Sequence, residues 1–158
     1  MSIKKEEIPL SELLPVILAT FEMGGEFRLY PKGVSMRPTL VEGRDSIMLS
    51  APIEQIHVGD ILLYRRESGA FVLHRVVKIA KNGTLTFRGD NQYENEPGVP
   101  PSAVIARVDR YFHGEREIRC RAFSTRFHLF WRNFFYPVRF LYFRGRPFLS
   151  RIIRRKGS

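Results

Sequence analysis

The chain has 158 residues, 44% of them hydrophobic, with one cysteine and a formal net charge of +10. That length suits one domain with a real core, and the composition excludes a disordered tail, a collagen-like repeat and a disulfide scaffold, since Cys120 has no second cysteine to pair with. The charge is segregated: ten arginines and Lys156 follow Glu117 with no acid among them, whereas the first 117 residues carry 15 basic side chains against all 16 acidic ones, so the basic character belongs to the tail.

Taken in chain order, Ser11 to about Met23 predicts a short helix. Ser11 is its expected cap, Pro15 falls in the first turn, Leu14, Ile17, Leu18 and Phe21 share one face, and Gly24-Gly25 ends it. Runs rich in β-branched and aromatic residues follow at Glu26–Tyr30, Ser46–Leu49, Asp60–Tyr64, Ala70–Ile79, Thr84–Arg88 and Ala103–Tyr111. Turn residues punctuate them, with Ser68-Gly69 and Asn82-Gly83 as hairpin turns. The pattern predicts a mainly β protein: a compact antiparallel β domain over 26–118, a helical segment over 1–25, and a basic aromatic, partly helical tail over 119–158. Eight of the 13 phenylalanines lie in that tail, and Phe123, Phe127, Phe130, Trp131 and Phe134 follow helical spacing.

The longest uncharged runs, Pro97–Ala106 with ten residues and Leu13–Phe21 with nine, fall well short of the roughly 20 a spanning helix needs. Glu6, Glu7 and Glu12 interrupt any secretory pattern before the first of them. The expected location is the cytoplasm, peripheral at the membrane if the tail binds it, with Cys120 reduced.

The four histidines are far apart and there is no thiolate pair, so no metal site is expected. No Gly-rich phosphate loop is present and no cofactor is expected. Nucleophilic or acid–base chemistry is the remaining option. Ser35 lies in Gly33-Val34-Ser35-Met36-Arg37-Pro38-Thr39-Leu40, just after a strand, on a Gly-flanked turn that Pro38 stiffens. A nucleophile needs such a place, with backbone N–H groups near it to hold an oxyanion; an ordinary turn serine is the alternative. His74, in the strand run Phe71–Val77, is the candidate base, or else a satisfied strand histidine. Asp90, in Gly89-Asp90-Asn91, is the first candidate for the acid that orients it, or else a turn residue, and Glu96 is the reserve. Lys78 lies an even number of residues from His74 on the same run and is a weaker alternative base.

Together these segments resemble type I signal peptidases. Gly33–Leu40, with Ser35-Met36-Arg37-Pro38-Thr39-Leu40, is similar to the nucleophile box, Gly59-Asp60-Ile61-Leu62-Leu63-Tyr64 to the Gly-Asp-Ile-Val strand that follows it, Leu73-His74-Arg75-Val76-Val77 to the base box of the branch that carries His in place of Lys, and Arg88-Gly89-Asp90-Asn91 to the last box. Order and spacing agree over about Leu10 to Ile118. The resemblance implies a β-rich peptidase fold in which Ser35 attacks the scissile carbonyl and His74 moves its proton. The turn Gly33, Met36 and Pro38 would shape the nucleophile and oxyanion site. A peptide or preprotein substrate would bind as an added strand. Many relatives carry a hydroxyl two residues before the nucleophile; Gly33 stands there, leaving backbone N–H groups, chiefly that of Ser35, as oxyanion donors.

A self-cleaving repressor would need a DNA-binding module, and about 24 residues before the β domain are too few for one. A non-catalytic module is the rival of another class. In it the tail would lie on an anionic membrane, pack on the β domain or, least favoured, bind nucleic acid.

Overall fold

A computed structural model describes residues 8–120 except 53 and 54. The chain divides into two units, Met1–Arg121 and Ala122–Ser158. The second, with the aromatic spacing expected to be helical, lies outside the described residues.

Among the described residues, the first unit is a mainly antiparallel β-sheet with one short N-terminal helix. Helix α1 spans Leu10–Glu22. It starts earlier than its composition suggests: Pro9 is the capping position, and its carbonyl accepts the N–H groups of Glu12 and Leu13. Ser11 is therefore already helical and caps nothing, and Pro15 falls in the second turn, where it deprives the Ser11 carbonyl of its usual donor. The C-terminus ends as expected. Gly24 takes φ +73°, and the Gly25 N–H closes back on the Thr20 carbonyl at 2.9 Å. Ile17 is fully buried, while Leu10 and Phe21 pack on the main core. Among the described residues no helix is long and apolar enough to cross a membrane.

Eight strands follow: β1 Phe27–Leu29, β2 Asp45–Ser50, β3 Ile61–Arg65, β4 Phe71–Ile79, β5 Leu85–Arg88, β6 Glu96–Val99, β7 Val104–His113 and β8 Arg116–Arg119. Their order is β1-β2-β7-β3-β4-β5-β6, all antiparallel, with β8 also on β7. Six of these strands match the apolar runs of the sequence. β6 and β8 do not, because Pro97-Gly98 and the charged Arg116-Glu117 hide them. The β3–β4 hairpin turns at Gly69, whose N–H reaches the Arg66 carbonyl at 2.8 Å, and β4–β5 turns at Gly83, bonded to Ala80 at 2.9 Å. Both glycines take positive φ, which fits the turn-forming dipeptides.

β3 is the centre of the packing. Ile61 and Leu63 point into one apolar cluster with Ile47, Leu49, Ala106 and Val108. Leu62 and Tyr64 point into a second with Val76, Leu85 and Phe87, where the Tyr64 ring stacks on Phe87 at 4.1 Å between centroids. The continuous Ile-Leu-Leu-Tyr run is thus a strand buried on both faces. Met36 and Leu40 are buried in the first cluster, which fastens the Ser35 turn to the sheet.

Candidate active site

Ser35 and His74, 39 positions apart in the chain, line one cavity of about 260 Å³ together with Gly33, Met36, Leu73 and Gln92. Ser35 is partly exposed and His74 is 3% exposed. The nucleophile turn rests on two supports. Apolar burial of Met36 and Leu40 holds it from within, and the Asn91 N–H donates to the Ser35 carbonyl at 2.7 Å. The Ser35 N–H has no partner among the described residues, which leaves it available as a donor. The Gly33 N–H is committed to the Glu42 carboxylate at 2.9 Å.

Gly89 packs against this turn. A Cβ on Gly89 would lie 2.7 Å from the Ser35 carbonyl oxygen and 2.8 Å from Oε1 of Gln92. The first contact is with backbone that Asn91 also holds, so it cannot yield cheaply. Gly89→Ala is expected to cost about 1–3 kcal/mol, the usual penalty for overpacking. Denaturant unfolding checks this, and a wild-type midpoint would show that the two turns are not in tight contact.

The strand that carries His74 has an unusual edge. β4 pairs with β3 through Phe71–Arg75, but with β5 only from Arg75 onward. The Val76 N–H donates to the Asp60 carbonyl, and its own carbonyl accepts the Gly59 N–H. Backbone groups alternate sides along a strand. Val72 and His74 therefore face β3, and the N–H and C=O of Phe71 and Leu73 face the other way. Among the described residues nothing in the sheet pairs with them there. Phe71 and Leu73 line the same cavity as Ser35, so an unpaired length of strand edge runs past the serine.

Lys78 does not join the site. A bulge between Val76 and Lys78 shifts the register by one residue. That turns Lys78 to the face opposite Val76 and His74 and leaves it exposed. The even spacing holds only for a regular strand.

Asp90 is buried and lies on the other face of β4. His74 and Arg75 are neighbours in a strand and point to opposite faces, and it is Arg75 that holds Asp90, with bonds of 2.9 and 2.7 Å. The Thr39 hydroxyl donates to Oδ2 of Asp90 at 2.5 Å. Arg75 also reaches the Gly59 carbonyl at 2.7 Å. Asp90 therefore ties the nucleophile turn, through Thr39, to the sheet and the Gly59 turn. Its effect on His74 is the through-space pull of its charge.

Glu96 lies on the His74 side. The Tyr64 hydroxyl donates to Oε2 of Glu96 at 2.7 Å, and its oxygen is 3.4 Å from Nδ1 of His74. Arg66 grips both oxygens of Glu96, at 2.8 and 2.6 Å. Burial, then the positive charge of Arg66, hold the His74 pKa below the ordinary histidine value, while Glu96 and Asp90 oppose that shift. Arg66 holds the Glu96 carboxyl below the usual range. Burial, with Glu96 second, raises the Tyr64 phenol above its ordinary value. At neutral pH the group is a neutral imidazole, a protonated phenol and a carboxylate. Sequence spacing does not single out Tyr64, Thr39 or Arg75. All three lie within the quoted boxes, but Tyr64 meets His74 only through the β3–β4 register.

The other titratable groups lie elsewhere. His113 is paired with Asp45 at 2.8 Å and His57 stands 3.9 Å from Asp60. Burial pushes the Cys120 thiol up to about 12, so it is a core residue rather than a nucleophile. Among the described residues no group of three His, Cys, Asp or Glu side chains is placed to hold a metal ion. No protein-family model, curated protein or solved structure matches the chain.

Proposed function

We propose that the chain is a serine endopeptidase of the signal-peptidase type, with Ser35 as nucleophile and His74 as general base. The observation that supports it is the convergence on one cavity of a serine at the end of a turn, a buried neutral histidine and an unpaired strand edge. A peptide adds to that edge through the N–H and C=O of Phe71 and Leu73, which sets its scissile carbonyl beside Ser35. Nε2 of His74 takes the Ser35 proton as Oγ bonds to the carbonyl carbon. The Ser35 N–H, and no side chain of Gly33, faces the developing oxyanion. The C–N bond then breaks, Nε2 passes the proton to the leaving amine, and water returns the acyl-enzyme to free serine. The basic aromatic tail, with a charge of +11 over residues 119–158, would hold the enzyme at an anionic membrane surface, where hydrophobic peptides collect.

The test is covalent labelling of the full chain by a fluorophosphonate, followed by peptide mapping. The label should fall on Ser35 and be absent from Ser35→Ala. A neutral imidazole is the reactive base, and it persists above its own pKa. Because burial and Arg66 lower that pKa, the acid limb of the labelling rate should lie below pH 6.5, the ordinary histidine value. No label, or equal labelling of Ser35→Ala, would overturn the reading in favour of a non-catalytic module.

A further inference from the structure

We infer that Tyr64 and Glu96 together are the positioning residues for His74, taking the part that one carboxylate plays in a Ser-His-Asp triad; this rests on the peptidase reading above. The Glu96 carboxylate only accepts, so the proton between it and Tyr64 belongs to the phenol. The phenol has a single proton, already given to Glu96. Its oxygen can then serve Nδ1 of His74 only as an acceptor. That fixes the tautomer: Nδ1 carries the hydrogen, and Nε2 is left with the lone pair a general base needs.

The elements are also held in place. Tyr64 is fully buried, and its ring is stacked on Phe87. Glu96 is gripped by Arg66 through both oxygens. Both residues lie on the His74 face, because Tyr64 and Val72 are opposite each other in the register and Val72 shares its face with His74. Glu96 reaches that face because β6 pairs it with Phe87, which in turn pairs with Val76. The 3.4 Å contact is long. Contacts of this kind in enzymes without substrate often shorten in the complex, and an imidazolium would draw the phenol oxygen closer. No proton leaves Tyr64 or Glu96. When Nε2 accepts the Ser35 proton, the charge on the ring is balanced by the Glu96 carboxylate through the polarised phenol. Asp90 cannot fill this place, since it is committed to Arg75 and Thr39 across the strand.

The test uses the full chain, a fluorophosphonate and the pH dependence of the labelling rate. The charged and titratable groups around His74 are Tyr64, Arg66, Glu96 and Asp90, with Lys32 and Glu42 at the mouth of the Ser35 cavity and Glu94 beside Glu96. Tyr64→Phe keeps the stacked ring and removes only the hydroxyl. It should label on the order of 10²-fold more slowly and move the acid limb to lower pH, because the imidazolium loses its acceptor. Glu96→Gln still accepts from Tyr64 but removes the charge that raises the His74 pKa. It should move the limb the same way. A merely structural role would lower the melting temperature and leave the limb in place. Wild-type rate and limb in Tyr64→Phe, or an unmoved limb in a folded Glu96→Gln, would overturn the inference while Ser35-dependent labelling of the wild type kept the peptidase reading. Absence of any Ser35-dependent label would overturn both.

Discussion

Ser35→Ala, His74→Ala and the double variant are expected to lose peptide hydrolysis to the same residual level. The two side chains share one cavity, and the proposed reaction uses them in a single step. A histidine without its serine has no proton to accept, and a serine without its histidine is a weak nucleophile at neutral pH. Their effects should therefore not add, and each single change should cost on the order of 10⁴-fold or more in kcat/KM. Lys78→Ala should stay near the wild-type rate, since the β4 bulge turns Lys78 to the face away from His74. The measurement is kcat/KM on a peptide the wild type cleaves, with circular dichroism to show that each variant is folded. Ser35 is partly exposed and its side chain holds no bond in the turn, so Ser35→Ala should melt as the wild type does. A Lys78→Ala loss as large as that of His74→Ala would assign the base to the lysine. Losses that add in the double variant would show that the two do not act together.

What the sequence made legible was local. The turn dipeptides Ser68-Gly69 and Asn82-Gly83 marked the two hairpins because positive φ is a property of the glycine itself. The apolar runs marked β2, β3, β4, β5 and β7 because burial follows from the side chains. The segments that hold Ser35, His74 and Asp90 stood out together only through their resemblance to the boxes of one family; of the three, Ser35 and His74 line one cavity. What could not be read depended on which strand lies beside which. β6 carries Pro97-Gly98, which reads as a turn; only its pairing with Phe87 makes it a strand and brings Glu96 to Tyr64. A bulge adds one residue that no pattern announces, and it reversed the expectation for Lys78. The side of the strand that Asp90 reaches was equally hidden, because it depends on the partner the chain finds for Arg75.

Asp90→Asn is expected to act on stability first. Arg75 is 2% exposed and Asp90 7% exposed, and the buried pair is bound through two bonds. An amide keeps the shape of the carboxylate but removes its charge and presents an NH₂ group where an acceptor is needed. One oxygen remains to serve Arg75 or Thr39, and the other position becomes a donor facing a donor. The Arg75 guanidinium is left buried with only neutral partners, the new amide and the Gly59 carbonyl. Breaking a buried pair in this way costs about 3–5 kcal/mol, a large part of the stability of an ordinary domain. Because Thr39 and Asn91 couple this pair to the nucleophile turn, Ser35 should also lose its fixed place, and labelling should slow with a smaller downward shift of the acid limb than Glu96→Gln gives, since Asp90 is the weaker of the two charges that raise the His74 pKa. Glu96→Gln should move the limb further, whereas the main effect of Asp90→Asn should be a lowered denaturation midpoint. Urea unfolding and the pH profile of labelling, measured on both variants, distinguish the two roles. An Asp90→Asn protein as stable as the wild type, with a limb displaced further than that of Glu96→Gln, would return the orienting acid to Asp90.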